Sequence, residues 1–499
     1  MACMNCETDG GGCGSGCSCS SSLPLKATGA ASCLCIKCKD GVPAITVGNQ
    51  TEPMCASCLY VSLLSKFKTA VNNHGLITPS DNVLVAVSGG PASRVAVEML
   101  KEIRSKAQSD ADASKDGTMK VFRLGVVYVD EATVLRLPES EAEAAVNSIK
   151  EMYDGIPVHT VELDCVYGTD GLPSDEDGDS ASSKLKLTKL FESVKDMTGK
   201  EDMLELLRMQ AIQTVAQISG YTKVVLALTA TRIAAKVIAA TTKGQGYSLP
   251  AFIQYLDGRW PIPVVLPLRD CVARELALHC HIAKLTTIFV RGLTTMADPR
   301  SSLNNLAHHF ITLLQEENPS REHTIVRTAA KLTSFSFNAE VVPPSRRRRN
   351  PRNHDKGGGK SELSPEFLCS ICRAPLQSSD MSPQTETTVG NGRDSSGNYA
   401  DMKSTCCPSC LFQIFPEDGV QAEEKYLLFP DSTRKASTST FSQRQKWMRS
   451  QIQDYLLPEE TSGLFEYQLL FLTTMKLLLN LHTTSIYPWI SRQLLNDVY

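Results

Sequence analysis

Apolar and polar positions fall into two alternating periods along the middle of the chain. Val83–Val87 is an unbroken apolar run, as expected of a strand buried on both faces. A Ser-Gly-Gly turn follows, and then Val95, Ala96, Met99, Leu100 and Ile103 recur at helical spacing. The succession repeats. Strands are predicted at 121–129, 158–163 and 223–228, with a shorter last one at Thr286–Val290. Helices are predicted at 140–152, opened by a Ser140/Glu143 capping box, and at 202–219, 233–240 and 301–317. A leading helix over 59–76 buries Leu63, Leu64, Phe67, Ala70 and Val71 and leaves Lys66 and Lys68 outside. Strands alternating with helices predict an α/β fold built on a doubly wound parallel sheet. Ligands of such sheets bind beyond the carboxyl ends of the strands, where the Ser-Gly-Gly turn sits.

The remaining stretches read as connections. Residues 1–32 are Cys-, Gly- and Ser-rich and are expected to be disordered. Residues 108–118 read as a flexible linker and 168–183 as an acidic, glycine-rich insertion. Pro343-Pro344, Arg346–Arg349, Arg352 and Gly357–Gly359 mark a basic, Gly-rich linker over 343–366. Its arginines read as a solvated run, a phosphate-backbone contact or a nuclear address. Residues 377–404 read as a disordered insertion. From 442 onward a helical pattern runs through Leu469, Leu470, Leu477, Leu478 and Leu479, suited to docking on the body or on a partner. The expected parse is a tail (1–32), a Cys module (33–60), the α/β domain (61–342), the linker (343–366), a second Cys module (367–415) and a helical segment (416–499).

Composition narrows the class. The 499 residues are 42% hydrophobic and 21% charged, an ordinary globular mixture with room for a large core. A net charge of -3 means that any nucleic-acid contact must use a local basic patch. Lys37, Lys39, Lys66 and Lys68 beside the first Cys module, and Arg346–Arg349, are the candidates. No apolar run reaches the roughly 18 residues of a membrane span, and no secretory signal pattern is expected at the start. The 18 cysteines then suit a reducing compartment, as ligands or free thiols rather than disulfides.

Eight of those cysteines form pairs. Cys35 and Cys38 make one Cys-x-x-Cys, Cys55 and Cys58 a second, and together they suit a tetrahedral structural zinc ribbon. Cys33 is a spare or substitute ligand. Cys369/Cys372 and Cys407/Cys410 would close a second site across a long gap, with Cys406 as neighbour. Four thiolates suit zinc or an iron–sulfur cluster; redox or simply buried thiols are the alternative. Cys165, Cys271 and Cys280 stand alone and read as buried free thiols.

The strand–glycine turn–helix unit points backbone N–H groups and a helix dipole at whatever lies above it, which favours a phosphate. Gly89 and Gly90 allow a tight turn and a close approach, and Ser88 and Ser93 add hydroxyls. A well-capped strand-to-helix turn is the bland alternative. The Gly-Lys-Ser/Thr end of a Walker loop is missing. Ser88-Gly89-Gly90-Pro91-Ala92-Ser93 resembles instead the PP-loop of ATP pyrophosphatases, Ser-Gly-Gly-x-Asp-Ser, with Ala92 at the acidic position.

The order of Cys module, PP-loop α/β domain and C-terminal Cys-x-x-Cys pairs resembles the eukaryotic cytosolic tRNA 2-thiolation proteins of the adenine-nucleotide alpha-hydrolase superfamily. The likeness runs from about Cys33 to Cys410 and into the leucine-rich tail. Ser88–Arg94, Gly220–Leu226 and Thr231–Ala234 look closest to the subunit of that complex without apparent catalytic residues. For the complex, the resemblance implies ATP-dependent adenylation of the wobble-uridine C2 oxygen. Sulfur from a thiocarboxylated ubiquitin-like carrier then replaces that oxygen, relayed by a cysteine. Three departures set this chain apart. Ala92 removes the loop carboxylate. Leu228-Thr229-Ala230-Thr231-Arg232 stands where catalytic relatives carry a His-Asn-x-Asp-Asp-like segment. Residues 201–219 hold no cysteine where those relatives place a Cys-x-x-Cys. The expectation is therefore a cytoplasmic partner subunit. It would form a heterodimer with a catalytic PP-loop subunit, contact tRNA and the carrier, hold structural zinc and carry a degenerate nucleotide loop at Ser88, Gly89, Gly90 and Ser93. The competing expectation is an active adenylating enzyme whose metal carboxylates are Asp130 or Asp164. A zinc-ribbon adaptor with no nucleotide role is the third.

Overall fold

The computed structural model describes residues 34–40, 45–47, 52–113, 120–168, 177–293, 298–318, 320–338, 367–377, 399–416 and 420–451. The N-terminal tail, Cys33, the 343–366 linker with its arginines and the leucine-rich stretch beyond 451 lie outside the described residues.

A six-stranded sheet organises the body. Its strands are β3 (Asn82–Ala86), β4 (Arg123–Asp130), β5 (Val158–Glu162), β6 (Lys223–Leu226), β7 (Leu256–Asp257) and β8 (Val264–Val265), in the order β5-β4-β3-β6-β8-β7. Neighbours are parallel except β7, which runs antiparallel to β8. The interior strands are apolar on both faces because both faces are covered; Val83, Leu84 and Val85 are fully buried. On one face α1 (Ala56–Asn73), α2 (Pro91–Ala113), α3 (Glu139–Met152) and α7 (Ala273–Ile282) insert Leu63, Phe67, Met99, Ile149 and Leu276. On the other, α4 (Asp177–Ser193) and α5 (Met197–Ile218) supply Leu187, Leu190, Leu207 and Ala211. Each such side chain contributes about 1.5–3 kcal/mol of transfer free energy. A third cluster joins α6 (Ala230–Thr242) to α8 (Leu303–Glu317) and α9 (Arg321–Ala329). At the start of the chain β1 (Ile45–Val47) pairs antiparallel with β2 (Glu52–Met54).

Several sequence expectations are corrected. Thr286–Val290 is not a strand: it runs across the carboxyl edge of the sheet and leaves Phe289 exposed. The 140–152 helix has no capping box. Pro138 is its N-cap and its carbonyl accepts from Glu141 N–H (3.0 Å) and Ala142 N–H (3.2 Å), so Ser140 is already inside the first turn. Residues 108–113 are helix, continued by a Gln108–Asp112 side-chain bond of 2.8 Å. Helix α4 takes up the end of the supposed acidic insertion, 177–183, leading into the core residues Leu187 and Leu190, while 169–176 lie outside the described residues. The long amphipathic helix starts earlier, at Met197, where Asp196 Oδ2 accepts from Gly199 N–H at 2.8 Å. The supposed 377–404 insertion ends in α10 (Tyr399–Thr405), followed by α11 (Pro408–Ile414), α12 (Val420–Leu427) and α13 (Asp431–Gln451).

The second Cys module belongs to the main core. Phe367, Cys369, Ile371, Cys406, Cys407, Cys410 and Ile414 share one cluster with Leu204 and Leu207 of α5. Gly199 permits the closest approach, since a Cβ there would lie 2.9 Å from the Gln413 carbonyl oxygen.

Candidate functional site: the glycine loop and two thiolate clusters

The Ser-Gly-Gly turn sits where β3 meets α2, at the carboxyl edge of an interior strand. Gly89 takes φ +76°, a left-handed conformation that favours glycine. Pro91 opens α2, its fixed φ suited to the first helical position. Ser93 is buried; its hydroxyl donates to Gly90 O (3.0 Å) and accepts from Ser88 N–H (3.4 Å). Ser88 is exposed and Ala92 half-buried. The four predicted loop residues thus come together in one turn.

That turn is also occupied by the chain itself. Ile288 N–H donates to Gly89 O at 2.8 Å, and a Cβ on Gly89 would stand 3.1 Å from Ile288 Cβ. The acids along the same edge are engaged as well. Asp130 Oδ1 accepts from Ala132 N–H at 2.9 Å, acting as a turn cap. Glu131 takes both Nε and Nη2 of Arg208, the latter at 3.0 Å. Asp164 is buried, and that burial, helped by Glu162, pushes its carboxyl upward. After β6, Thr229 caps α6 by accepting from Arg232 N–H (3.3 Å), and Thr231 accepts from Ala273 N–H (3.1 Å). Hydroxyls, and no acids, make the caps at this end of β6. The Arg208–Glu131 pair and the Ile288 contact had no signal in sequence, because their partners are joined only by the topology.

Cys35, Cys38, Cys55 and Cys58 bring four sulfurs within 4.8 Å of one another, and so do Cys369, Cys372, Cys407 and Cys410. The two clusters are built alike. Each first pair lies in a turn closed by a left-handed basic residue: Lys39 (φ 62°) donates its N–H to Cys35 O at 2.8 Å, and Arg373 (φ 54°) to Cys369 O at 2.9 Å. Each second pair starts a helix, with Cys55 at the N-cap of α1 and Cys407 at the N-cap of α11. Cys58 and Cys410 sit in the first helical turn. Cys55 N–H donates to Cys35 Sγ and Cys407 N–H to Cys369 Sγ, both at 3.3 Å. Ile36 N–H reaches Pro53 O (2.9 Å) and Ser370 N–H reaches Thr405 O (3.1 Å), the same offset in both modules. Helix N-termini and backbone donors favour thiolates. The N–H groups of Cys38 and Cys55 hold Cys35 down to about 6. Four sulfurs so placed are the donor set of a tetrahedral soft-metal site.

The lone cysteines behave differently. Burial pushes Cys271 to about 12 and Cys280 to about 11. Cys165 is half-buried and also pushed to about 12 by burial. The lysines beside the first module divide: Lys37 and Lys39 are exposed, whereas Lys66 pairs with Glu275 (3.0 Å) and Lys68 with Glu102 (3.2 Å).

The fold and these two features define a class, the PP-loop α/β proteins with a four-cysteine cluster of metal-site geometry toward either end. Comparison with known proteins narrows it. The family model described as cytoplasmic tRNA 2-thiolation protein 2 matches residues 302–404. A protein of that name from Oryza sativa subsp. indica is 39% identical over 440 residues, covering 86% of this chain and 90% of the relative. The Arabidopsis thaliana protein is 38% identical, with 86% and 91% covered, and the Danio rerio protein 25%, with 85% and 94%. The solved U34-tRNA thiolase NcsA from Methanococcus maripaludis, with its [4Fe-4S] cluster, covers 61% of this chain and 88% of its own. Its TM-score of 0.42 and 16% identity make it too distant to carry detail across. The chain belongs to the cytoplasmic tRNA 2-thiolation protein 2 family. Among the described residues no helix is long and apolar enough to cross a membrane.

Proposed function

We propose that this chain is the non-catalytic partner of a paralogous PP-loop thiolase, with which it forms a heterodimer that makes 2-thiouridine at the tRNA wobble position in the 5-methoxycarbonylmethyl-2-thiouridine pathway. In that reaction the uridine O2 attacks the α-phosphate of ATP and pyrophosphate leaves. The sulfur of a thiocarboxylated ubiquitin-like carrier then attacks C2, AMP departs with the oxygen, and water cleaves the carrier's acyl–sulfur bond, which frees the 2-thiouridine and returns the carrier as a carboxylate. The observation that carries the partner role is the loop. It keeps its Ser88-Gly89-Gly90 turn but has Ala92 in place of an acid, while Ile288 is bonded to Gly89. The Ala92 methyl offers magnesium no ligand and no negative charge where an acid would supply both. Asp130, the acid offered by the competing enzyme reading, already caps a turn.

Zinc is the metal proposed for both clusters. A tetrahedral ion with bonds of about 2.3 Å sets its sulfurs about 3.8 Å apart. Cys38 and Cys55 sulfurs lie 3.8 Å apart, and Cys372 and Cys407 sulfurs 3.7 Å. A cubane cluster binds its thiolates through separate irons and needs them further apart. The purified chain is expected to be colourless.

The expected result of reconstitution with tRNA, ATP and carrier is no 2-thiouridine from this chain alone and restored product when the paralogue is added, read by mass spectrometry of the nucleosides. Thiolation by this chain alone, lost on Asp130→Asn, would overturn the partner role in favour of an enzyme. For tRNA contact, Lys37 and Lys39 are better placed than Lys66 and Lys68, whose charges are already paired. Neutralising Lys37 and Lys39 is expected to lower the salt slope of tRNA binding by about 1–2, and an unchanged slope would exclude them.

A further inference from the structure

Helix α8 carries two apolar faces, and the fold uses one of them. Ala307 and Ile311 are buried, Ile311 in one cluster with α6 and α9. Leu303, Leu306, Phe310 and Leu313 lie on a flanking face, each between 40% and 48% exposed. Their spacing is three, four, three, the spacing of a helix–helix seam. Ser302 fixes the start of the helix, accepting from Asn305 N–H (3.0 Å) while donating to Glu201 (2.8 Å). The stripe is therefore presented on a rigid, doubly anchored helix. The described residues leave a little under half of each side chain open.

We propose that α8 is a self-association helix, on which a second copy of this chain packs its own α8 antiparallel about a two-fold axis near residue 308. The stripe is its own complement in that arrangement. Reversal about 308 places Leu303 on Leu313 and Leu306 on Phe310, as an isologous contact requires. The charges obey the same reversal: exposed Arg300 before the helix meets exposed Glu316 at its end. The two helix dipoles also run opposite ways, which adds a small favourable term. An unrelated partner would not require this internal symmetry. Four side chains from each copy make a contact below the standard interface of about 1,600 Å², so the dimer is weak, with a dissociation constant on the order of 10 μM. This pairing stands apart from the thiolation reading, because it concerns two identical chains.

Sedimentation equilibrium of the full chain between about 1 and 100 μM tests it, a range that brackets the expected constant. The expected result is a shift from the 54.4 kDa monomer to twice that mass. Leu306→Asp with Phe310→Asp should abolish the shift while the circular dichroism stays put, since about half of each side chain is already in water. Arg300→Glu should weaken the dimer about 3- to 10-fold, and adding Glu316→Arg should restore it. A wild-type monomer at the top of the range, or a dimer indifferent to the double substitution, would overturn the proposal. So would a chain that dimerises only after residues 452–499 are removed, which would make its own tail the occupant. Loss of binding to the thiolase paralogue in the double variant, with no homodimer in the wild type, would assign the stripe to that paralogue instead.

Discussion

Cys407→Ser is expected to release one metal ion per chain and lower the stability of the whole α/β body, on the order of 5 kcal/mol. The reason is where the second cluster sits. Cys369, Cys407 and Cys410 are buried, and they share a core with Leu204, Leu207, Leu187 and Val224. Without the ion, three thiols and the new hydroxyl must be accommodated as neutral groups in an apolar cluster, and the chain between Cys372 and residue 407 loses its closure. Cys406→Ser provides the control. Cys406 is equally buried but is not one of the four clustered ligands. Its replacement should keep both metals and cost only about 1–3 kcal/mol for burying a hydroxyl. Chelator should strip the clusters in order. Cys38 is exposed and Cys58 half-buried, so the N-terminal ion should leave first, with little change in melting. The C-terminal ion should leave later, together with cooperative unfolding. Metal release followed with a chromogenic chelator during a thermal melt reads both steps; equal release rates would contradict the ordering.

What could be read in advance was local. Val83–Val85 announce a doubly buried strand because three consecutive residues are apolar, and the turn after them announces itself by composition. The eight paired cysteines announce their clusters because Cys-x-x-Cys fits one ion from one turn. The rest depends on residues distant in sequence. β7 and β8 have two residues each and no detectable period. Gly125 looks like a weak point in β4, yet the Tyr221 hydroxyl, bonded to His159 at 3.0 Å, lies 1.9 Å from where its Cβ would stand. Thr286–Val290 has a strand's composition but pairs with neither edge strand and crosses the glycine loop instead. Ala92 could be read as a lost acid; that Ile288 would bond the neighbouring glycine could not.

Asp257→Ala is expected to detach the second module from the sheet and cost about 3–5 kcal/mol, the usual result of leaving one buried charge without its partner. Asp257 and Arg259 are each 9% exposed along their side chains and paired at 2.7 Å. Asp257 Oδ1 also accepts from Arg259 Nε (2.9 Å) and from Arg259 N–H (3.1 Å), so the guanidinium is held as a planar fork. That fork is the hinge pin of the interface. Arg259 Nη1 donates to Arg373 O at 3.1 Å, Arg373 Nη2 donates back to Arg259 O at 2.6 Å, and the Arg373 guanidinium stacks 5.0 Å from the Trp260 ring centre. Arg373 is the left-handed residue that closes the Cys369–Cys372 turn. A charge pair at the sheet edge thus positions the thiolate turn. Removing the carboxylate leaves Arg259 desolvated and unpaired, and the cheapest relief is to open the module to water. Replacing both residues, Asp257→Leu with Arg259→Met, should recover most of the loss, because it removes the stranded charge along with the pair. Hydrogen exchange separates a local from a global effect. The expected pattern in Asp257→Ala is faster exchange at Cys369–Leu376 and Pro408–Ile414 with β3 and β4 unchanged. Uniform loss of protection across the sheet would mean that the pair holds the whole body together and not the module alone.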